Sequence, residues 1–466
     1  MYRSVCVYLA VSTQIRDQII NETRSPHISE LTMLEFQAED QGRFCDGHSR
    51  RQFLKVGGLA IGGLTLPQLL KAEAAAGQFN STKSIINIYL GGGPTHMDTF
   101  DLKPNAPKEF RGEFQPIATN APGVEICEMM PDLATVADKF SIIRSVDGMN
   151  NEHNSKQSES GWSVKSLESM GGRPGIGSVM SKFMGASQQT PYGVAPTAVD
   201  INGWTRPGFL GQTHSAYRPD GTGRGNLQLN RSVSVDRLDD RRQLLSGLDN
   251  LARDVDSSGM MDALDSFNER AVGIITSGKL YNALDIKQED PRLHDKYGIG
   301  MRRDMDRFLV ARRLITSGVR NVSFSWGGWD THGKIFDTMR TQLPALSRGL
   351  TALIQDLDAH GRLEDTLIMM SGEFGRTPRI NGGAGRDHWS RAAFFFLAGG
   401  GMNHGQVIGA TNRLGETPVD RPVHLQHIFH TVYHWLGIDA NTMTLEDPNG
   451  RPQYLVENRE LISELI

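Results

Sequence analysis

Imidazoles and carboxylates recur in this chain directly beside short apolar runs. "SIINIYL" (84–90) leads into "GGGPTHMDTFD", "NVSFSW" (321–326) into "GGWDTHG", and "TLIMMS" (366–371) into "GEFGR". "AAFFFLAGGG" (392–401) begins just after an Asp-His pair, and Glu152-His153 follows "FSIIRSV". The groups so placed are His96, Asp98, Asp330, His332, Glu373, Asp387 and His388, with Asp101, His153 and Arg376 nearby. Mixed carboxylate and imidazole donors suit Zn²⁺, Mn²⁺ or a similar divalent ion, whereas carboxylates alone would favour Mg²⁺ or Ca²⁺. Arg376 could match a phosphate or sulfate oxygen bidentately, or pair structurally with Glu373.

A single Asp-x-His is more often a turn or a cap than a ligand. Several such groups at the ends of apparent strands reverse that balance. Continuous apolar runs of this length read as strands buried on both faces. Helical periodicity lies between them. Met301, Met305, Phe308, Leu309 and Ile315 fall near one face, with Gly318 closing the segment. Met339, Leu343, Leu346, Leu350, Leu353 and Leu357 mark a second helix, ending near Gly361. Alternating strands and helices predict an α/β fold, a mostly parallel sheet with helices on both faces. Ligands in open α/β sheets bind beyond the carboxyl ends of the strands, where these groups cluster.

Other features point elsewhere. "HLQHIFHTVYH" brings His424, His427, His430 and His434 to one helical face, opposite Leu425, Phe429, Val432 and Leu436, so the histidines are expected to face solvent. "GTGRG" (221–225) lacks the strand and helix that a phosphate loop needs. A formal charge of -4 over 466 residues offers no basic field for nucleic acid.

"SRRQFLK" (49–55), the apolar "VGGLAIGGLTLPQLL" and the small-residue "KAEAAAG" follow one another as in an export leader. Arg50-Arg51 give it a twin-arginine character, with cleavage expected near Ala74 or Ala76. Residues 1–76 are therefore read as a removed signal region, and the mature protein as periplasmic or secreted. Its removal would take Cys6 and Cys45 and leave Cys127 alone, so no internal disulfide is expected. No other stretch approaches the roughly 18 apolar residues of a membrane span.

The pieces "GGGPTHMDTFD", "GGWDTHG", "GEFGRTPRINGGAGRDHW" and "GQVIGATNRLGETPVDRPV" resemble an exported bacterial family, domain of unknown function 1501. That family is similar in core fold to the alkaline phosphatase and sulfatase superfamily. The resemblance implies an alkaline-phosphatase-like domain over residues 77–445, and one or two divalent ions. It also implies an anionic ester as substrate, sulfated or phosphorylated glycans included. Asp98, with His96 beside it, matches the acidic ligand after the first core strand. Asp330 and His332 resemble an Asp-x-x-x-His pair at a shorter spacing, and His388, with Asp387, the late histidine. Glu373 stands where the superfamily has Asp followed by His, and Phe374 replaces that histidine.

The implied nucleophile would lie in "NNEHNSKQSESGW" (150–162), where Ser155, Ser158 and Ser160 are available outside any standard signature. Water activated by the metal is the alternative, with His153 as base or ligand. The expected activity is hydrolysis of phosphate or sulfate esters; the alternative is a non-catalytic anion- or glycan-binding or assembly protein on the same fold. Residues 205–290, with the weakest periodicity, are expected to form an insertion or cap, and 446–466 a C-terminal tail.

Overall fold

The computed structural model describes residues 81–185, 195–220, 227 and 278–466. The leader at 1–76 lies outside the described residues, as does most of the predicted cap.

The central sheet is built from strands β1 (Ser84–Tyr89), β2 (Phe140–Asp147), β3 (Ala198–Asp200), β4 (Asn321–Ser325), β5 (Thr366–Ser371), β6 (Ala393–Gly399), β7 (Gln406–Ile408) and β8 (Val423–His424). Their order is β7-β2-β6-β5-β1-β4-β3, with β8 also pairing with β2. All pairings are parallel except those of β6, which runs antiparallel to both β5 and β2. The four apolar runs singled out in the sequence are thus β1, β4, β5 and β6, three of them adjacent and parallel. The fold is α/β, as expected.

Alternation along the strands explains why these runs are apolar throughout. Ile85, Leu367, Met369, Phe395 and Leu397 pack into one core, and Ile86, Ile88, Ile368, Met370, Phe394 and Phe396 into the other. Helices α1 (Lys156–Ser160), α2 (Ile176–Phe183), α3 (Asp306–Thr316), α4 (Ile335–Ala359) and α5 (Leu425–Leu436) fill the space between and beyond the strands. Phe308, Leu343, Leu346, Leu350 and Leu353 of α3 and α4 join the second core, while Val179, Ile428, Phe429 and Val432 of α2 and α5 join the first. Side chains successive along a strand point to opposite faces, so a run covered on both sides must be apolar at every position. Among the described residues no helix is long and apolar enough to cross a membrane.

Helix α5 differs from its expectation. Leu425, Phe429, Val432 and Leu436 are buried as predicted, but His430 is only 4% exposed. The C-terminal segment lies over this face, burying Ile462 and Leu465, and Ile462 donates its amide to Thr431 Oγ1 at 3.0 Å. His424 accepts from Gln426 N at 3.1 Å as the helix N-cap. The histidine face is covered in part by the chain's own later residues, which periodicity within one helix does not reveal, while His434 stays exposed as expected.

Beneath β1 and β4, Glu159 of α1 is wholly buried beside a cavity lined by Asn87, Ser178, Asn321 and Ser323. Burial pushes its carboxyl up to about 7, against the pull of Lys156 and of the Arg206 amide. Below about pH 4.5 folded and unfolded chains both hold this proton. Between pH 4.5 and 7 the unfolded chain releases it while the folded chain retains it, so stability falls with rising pH. Glu159→Gln should flatten the stability profile across that window. Denaturant titrations at pH 5, 6, 7 and 8 check this, and an unchanged slope would exclude Glu159 as its source.

Candidate metal centre

Three loops at the carboxyl ends of β1, β4 and β5 meet the segment after β2. What brings them together is a backbone lock between residues 331–335 and 381–386. Lys334 N donates to Gly383 O and Ile335 N to Ala384 O, both at 2.9 Å, giving acceptors to first amides of α4. Asn381 donates to His332 O at 2.9 Å and accepts from Gly383 N and Gly385 N, each at 3.0 Å. Gly385 approaches so closely that a Cβ there would lie 2.2 Å from the His332 carbonyl. The glycine spacer is therefore a fitted part, pressed against the loop that carries Asp330 and His332.

From this scaffold His153, Asp330 and His388 converge, their ligand atoms all within 4.8 Å of one another. His388 Nε2 lies 2.9 Å from His153 Nε2, 3.1 Å from His332 Nε2 and 3.3 Å from Asp330 Oδ1. His332 Nε2 is 3.0 Å from Asp330 Oδ1, and His153 Nε2 is 3.6 Å from Asp330 Oδ2. Zinc–nitrogen bonds of 2.0–2.1 Å in a tetrahedron imply ligand–ligand edges of about 3.3 Å. The donors of His153, Asp330 and His388 are close enough to share one cation, with His332 beside them.

Proton positions support the same reading. His153 Nδ1 lies 3.1 Å from Glu373 Oε1, and His332 Nδ1 lies 2.7 Å from Asp387 Oδ1. An ionised carboxylate only accepts, so each Nδ1 carries the hydrogen, and in the neutral ring Nε2 is then the lone pair available to a cation. With those rings neutral, two lone pairs face His388 Nε2, whose ring could offer a proton to only one of them. Burial lowers the His388 pKa, with Arg376 and the neighbouring histidines acting the same way and Asp330 opposing. Burial would raise Asp330, but hydrogen bonds from Arg376 and His388 and their neighbours' charge hold it at about 2. Asp387 is lowered chiefly by its bond to His332. These residues fit a divalent cation, with carboxylates behind the imidazoles as metal histidines usually have.

His153, Asp330 and His332 are each about half-exposed, so the centre faces solvent. Its floor is Phe374, 1% exposed, whose ring centroid lies 4.5 Å from that of His388 and 5.1 Å from that of His153. The histidine expected from the superfamily pattern is replaced by a hydrophobic support for two others.

The remaining expected residues lie outside the convergence. Asp98 is buried against Arg386, with contacts of 2.7 and 3.0 Å, and accepts from Thr95 Oγ1 at 2.7 Å. His96 is buried and contacts Gly415 O at 2.8 Å through Nε2. Arg376 departs most from its expectation. Its guanidinium is fully buried, bonded to Gly93 O at 2.9 Å, Arg386 O at 3.0 Å, Gly92 O, and Asp330 Oδ1 at 2.6 Å. With four of its N–H groups engaged inside the protein, it orients Asp330 and offers no open fork to an outside anion. Ser158 is buried, and its hydroxyl makes no hydrogen bond. Ser155 and Ser160 donate to Trp204 O and Lys156 O.

Spacing in the sequence gives no sign of Arg386, which supports the centre without bearing its donors. Gly92 offered a signal: a Cβ there would lie 2.4 Å from Asp330 N, so the glycine marks where β1 and the Asp330 loop touch.

Among solved structures the chain resembles PsFucS1 sulfatase from Pseudoalteromonas sp. at 12% identity, covering 80% of this chain and 73% of that one, with a TM-score of 0.34. It also resembles Ps i-CgsB at 10% identity, covering 76% and 72%, with a TM-score of 0.30. No curated protein matches the sequence. Residues 82–466 match the family described as "Protein of unknown function (DUF1501)", and the chain belongs to that family.

Proposed function

We propose that this protein is an exported hydrolase of phosphate or sulfate esters that holds one divalent metal ion between His153, Asp330, His332 and His388. The observation that carries the metal is the convergence of Nε2 atoms whose Nδ1 positions are committed to Glu373 and Asp387. The ester class rests on the likeness in core fold that the family resemblance implies to phosphatases and sulfatases, and export on the leader pattern at 49–76. Zinc or manganese suits three imidazoles and one carboxylate better than calcium or magnesium.

Bound there, the ion would supply Lewis-acid polarisation of an ester oxygen and a lowered pKa for an attacking hydroxyl. The protein's own parts are the orienting ones. Glu373 and Asp387 fix the ring tautomers, Arg376 aims Asp330, and Phe374 excludes water from below. Glu373 and Asp387 stand behind the imidazoles, and His96 and Asp98 belong to the packing of the first loop. One ion per chain follows, because the guanidinium of Arg386 already satisfies Asp98.

A second reading, a binding protein without turnover, is favoured by one feature. Ser155, Ser158 and Ser160 all keep their hydroxyls from the imidazole cluster. Elemental analysis of untagged protein should give about one zinc or manganese per chain, and Asp330→Ala or His388→Ala should remove most of it. Assays with aryl phosphate monoesters, phosphodiesters and sulfate esters should show turnover in the wild type, reduced by about 10²-fold or more in both variants. Normal metal content in both variants would overturn the ligand assignment. Metal without turnover on any ester would leave the binding reading.

Metal affinity should also decline as pH falls below about 6, because protons compete for the imidazole nitrogens. Equilibrium dialysis at pH 5, 6, 7 and 8 measures it, and a flat profile would argue against histidine ligands.

A further inference from the structure

His153 is carried by the segment 150–155, between β2 and α1, while its Nδ1 partner Glu373 follows β5, so the pair joins two loops far apart in sequence. Gln157 of α1, only 1% exposed, spans them. Its Oε1 accepts from Asn150 N at 2.7 Å, and its Nε2 donates to Asn150 O at 2.9 Å and to Glu373 O at 3.3 Å. These partners fix which way the amide points, because a backbone N–H only donates and the two carbonyls only accept. All three bonds are to backbone, so they hold chain segments and not side-chain tips.

Both ends of this clasp are anchored. Residues 157–160 of α1 are all buried, Glu159 accepts from Arg206 N at 3.0 Å, and Gln426 Nε2 donates to Gly161 O at 3.2 Å. At the other end Gly92 N donates to both oxygens of the Glu373 carboxylate, at 2.9 and 3.2 Å. A closed circuit results. Gln157 holds the Glu373 backbone, the Glu373 carboxylate meets His153 Nδ1, and the His153 segment returns to Gln157 through Asn150. The other imidazole with a carboxylate partner has an amide of its own. Asn381 donates to His332 O at 2.9 Å and to both Asp387 oxygens at 3.3 Å.

We infer that Gln157 is a positioning residue of the metal centre, holding the 150–155 segment against the Glu373 loop so that His153 Nε2 points toward His388 and Asp330. The assignment rests on the metal reading proposed above. With the amide removed, Asn150 and the Glu373 carbonyl lose their shared partner, the two loops can part, and His153 is the ligand that moves. His332 and Asp387 keep Asn381, so the effect falls on one imidazole.

The test is a double-mutant cycle on the full chain, reading Zn²⁺ affinity against a competing chelator at fixed pH. Gln157→Met, of similar length but without the amide, should weaken zinc binding about 10-fold, the lower end of what an outer hydrogen-bond partner contributes to a metal site. In a His153→Ala background the same substitution should weaken binding no further, whereas in a His332→Ala background it should still weaken it about 10-fold. The visible absorption of bound Co²⁺, which reports its ligand arrangement, should shift in Gln157→Met toward that of His153→Ala. Gln157→Glu, which keeps the shape and the acceptor but loses both donors, should behave likewise and serves if the methionine variant does not fold. Equal weakening in the wild-type and His153→Ala backgrounds would mean that Gln157 supports the fold at large. That result, an unchanged affinity, or failure of both variants to fold overturns the inference. If the wild type binds neither zinc nor manganese, it is the metal reading itself that falls.

Discussion

Two amides at the head of a 25-residue helix need acceptors, and meeting that need arranges the rest of the centre. The carbonyls of Gly383 and Ala384 supply them. In doing so they fix the 381–386 loop against 331–335, and only then can Asp387 reach His332 and His388 reach Asp330. Lys334 and Ala384 both take positive φ, at 50° and 54°, where non-glycine residues are strained. Strain on both sides of the lock is tolerated because the lock is over-determined, with Asn381 bracing it through four further contacts to loop amides, a carbonyl and Asp387.

Charge pairing adds a second level of order. Arg386 lies in the interior between Asp98 and the carbonyls of Phe110, Thr377 and Pro378, and Arg376 lies between Asp330 and the carbonyls of Gly92, Gly93 and Arg386. A buried ion pair gives little net stability, since desolvation offsets attraction, but a geometry in which every donor is engaged admits few alternatives. The two arginines therefore contribute definition of the centre more than strength. Both were present in the sequence as ordinary charges beside glycine, and nothing in their spacing distinguished an inward guanidinium from an outward one.

Much of the fold was legible for a simple reason. A strand covered on both faces must be apolar at each position, so β1, β4, β5 and β6 announced themselves as runs, and α4 as a leucine repeat. The reversed direction of β6 was not legible, because direction leaves no mark on composition. At the site, Asp330, His332 and His388 could be found because they sit where strands end, and His153 because it follows β2. The division of labour among carboxylates was hidden. Asp98, Asp330, Glu373 and Asp387 look alike in sequence, yet one faces the imidazole cluster, two face Nδ1 atoms and one faces an arginine. That difference is decided by loops meeting from positions more than fifty residues apart. The burial of His430 on α5 is the same lesson in reverse.

The backbone lock bears on how an ion would be chosen. Hydrogen bonds among the protein's own groups hold both loops, so an ion binding there would demand little reorganisation of them. A rigid set of imidazole and carboxylate donors such as His153, Asp330 and His388 would take first-row metals in their usual order of strength, copper above zinc and zinc above manganese. Under those conditions the identity of an ion held there would follow supply. The compartment in which the chain finishes folding, more than the pocket itself, would set which metal it carries.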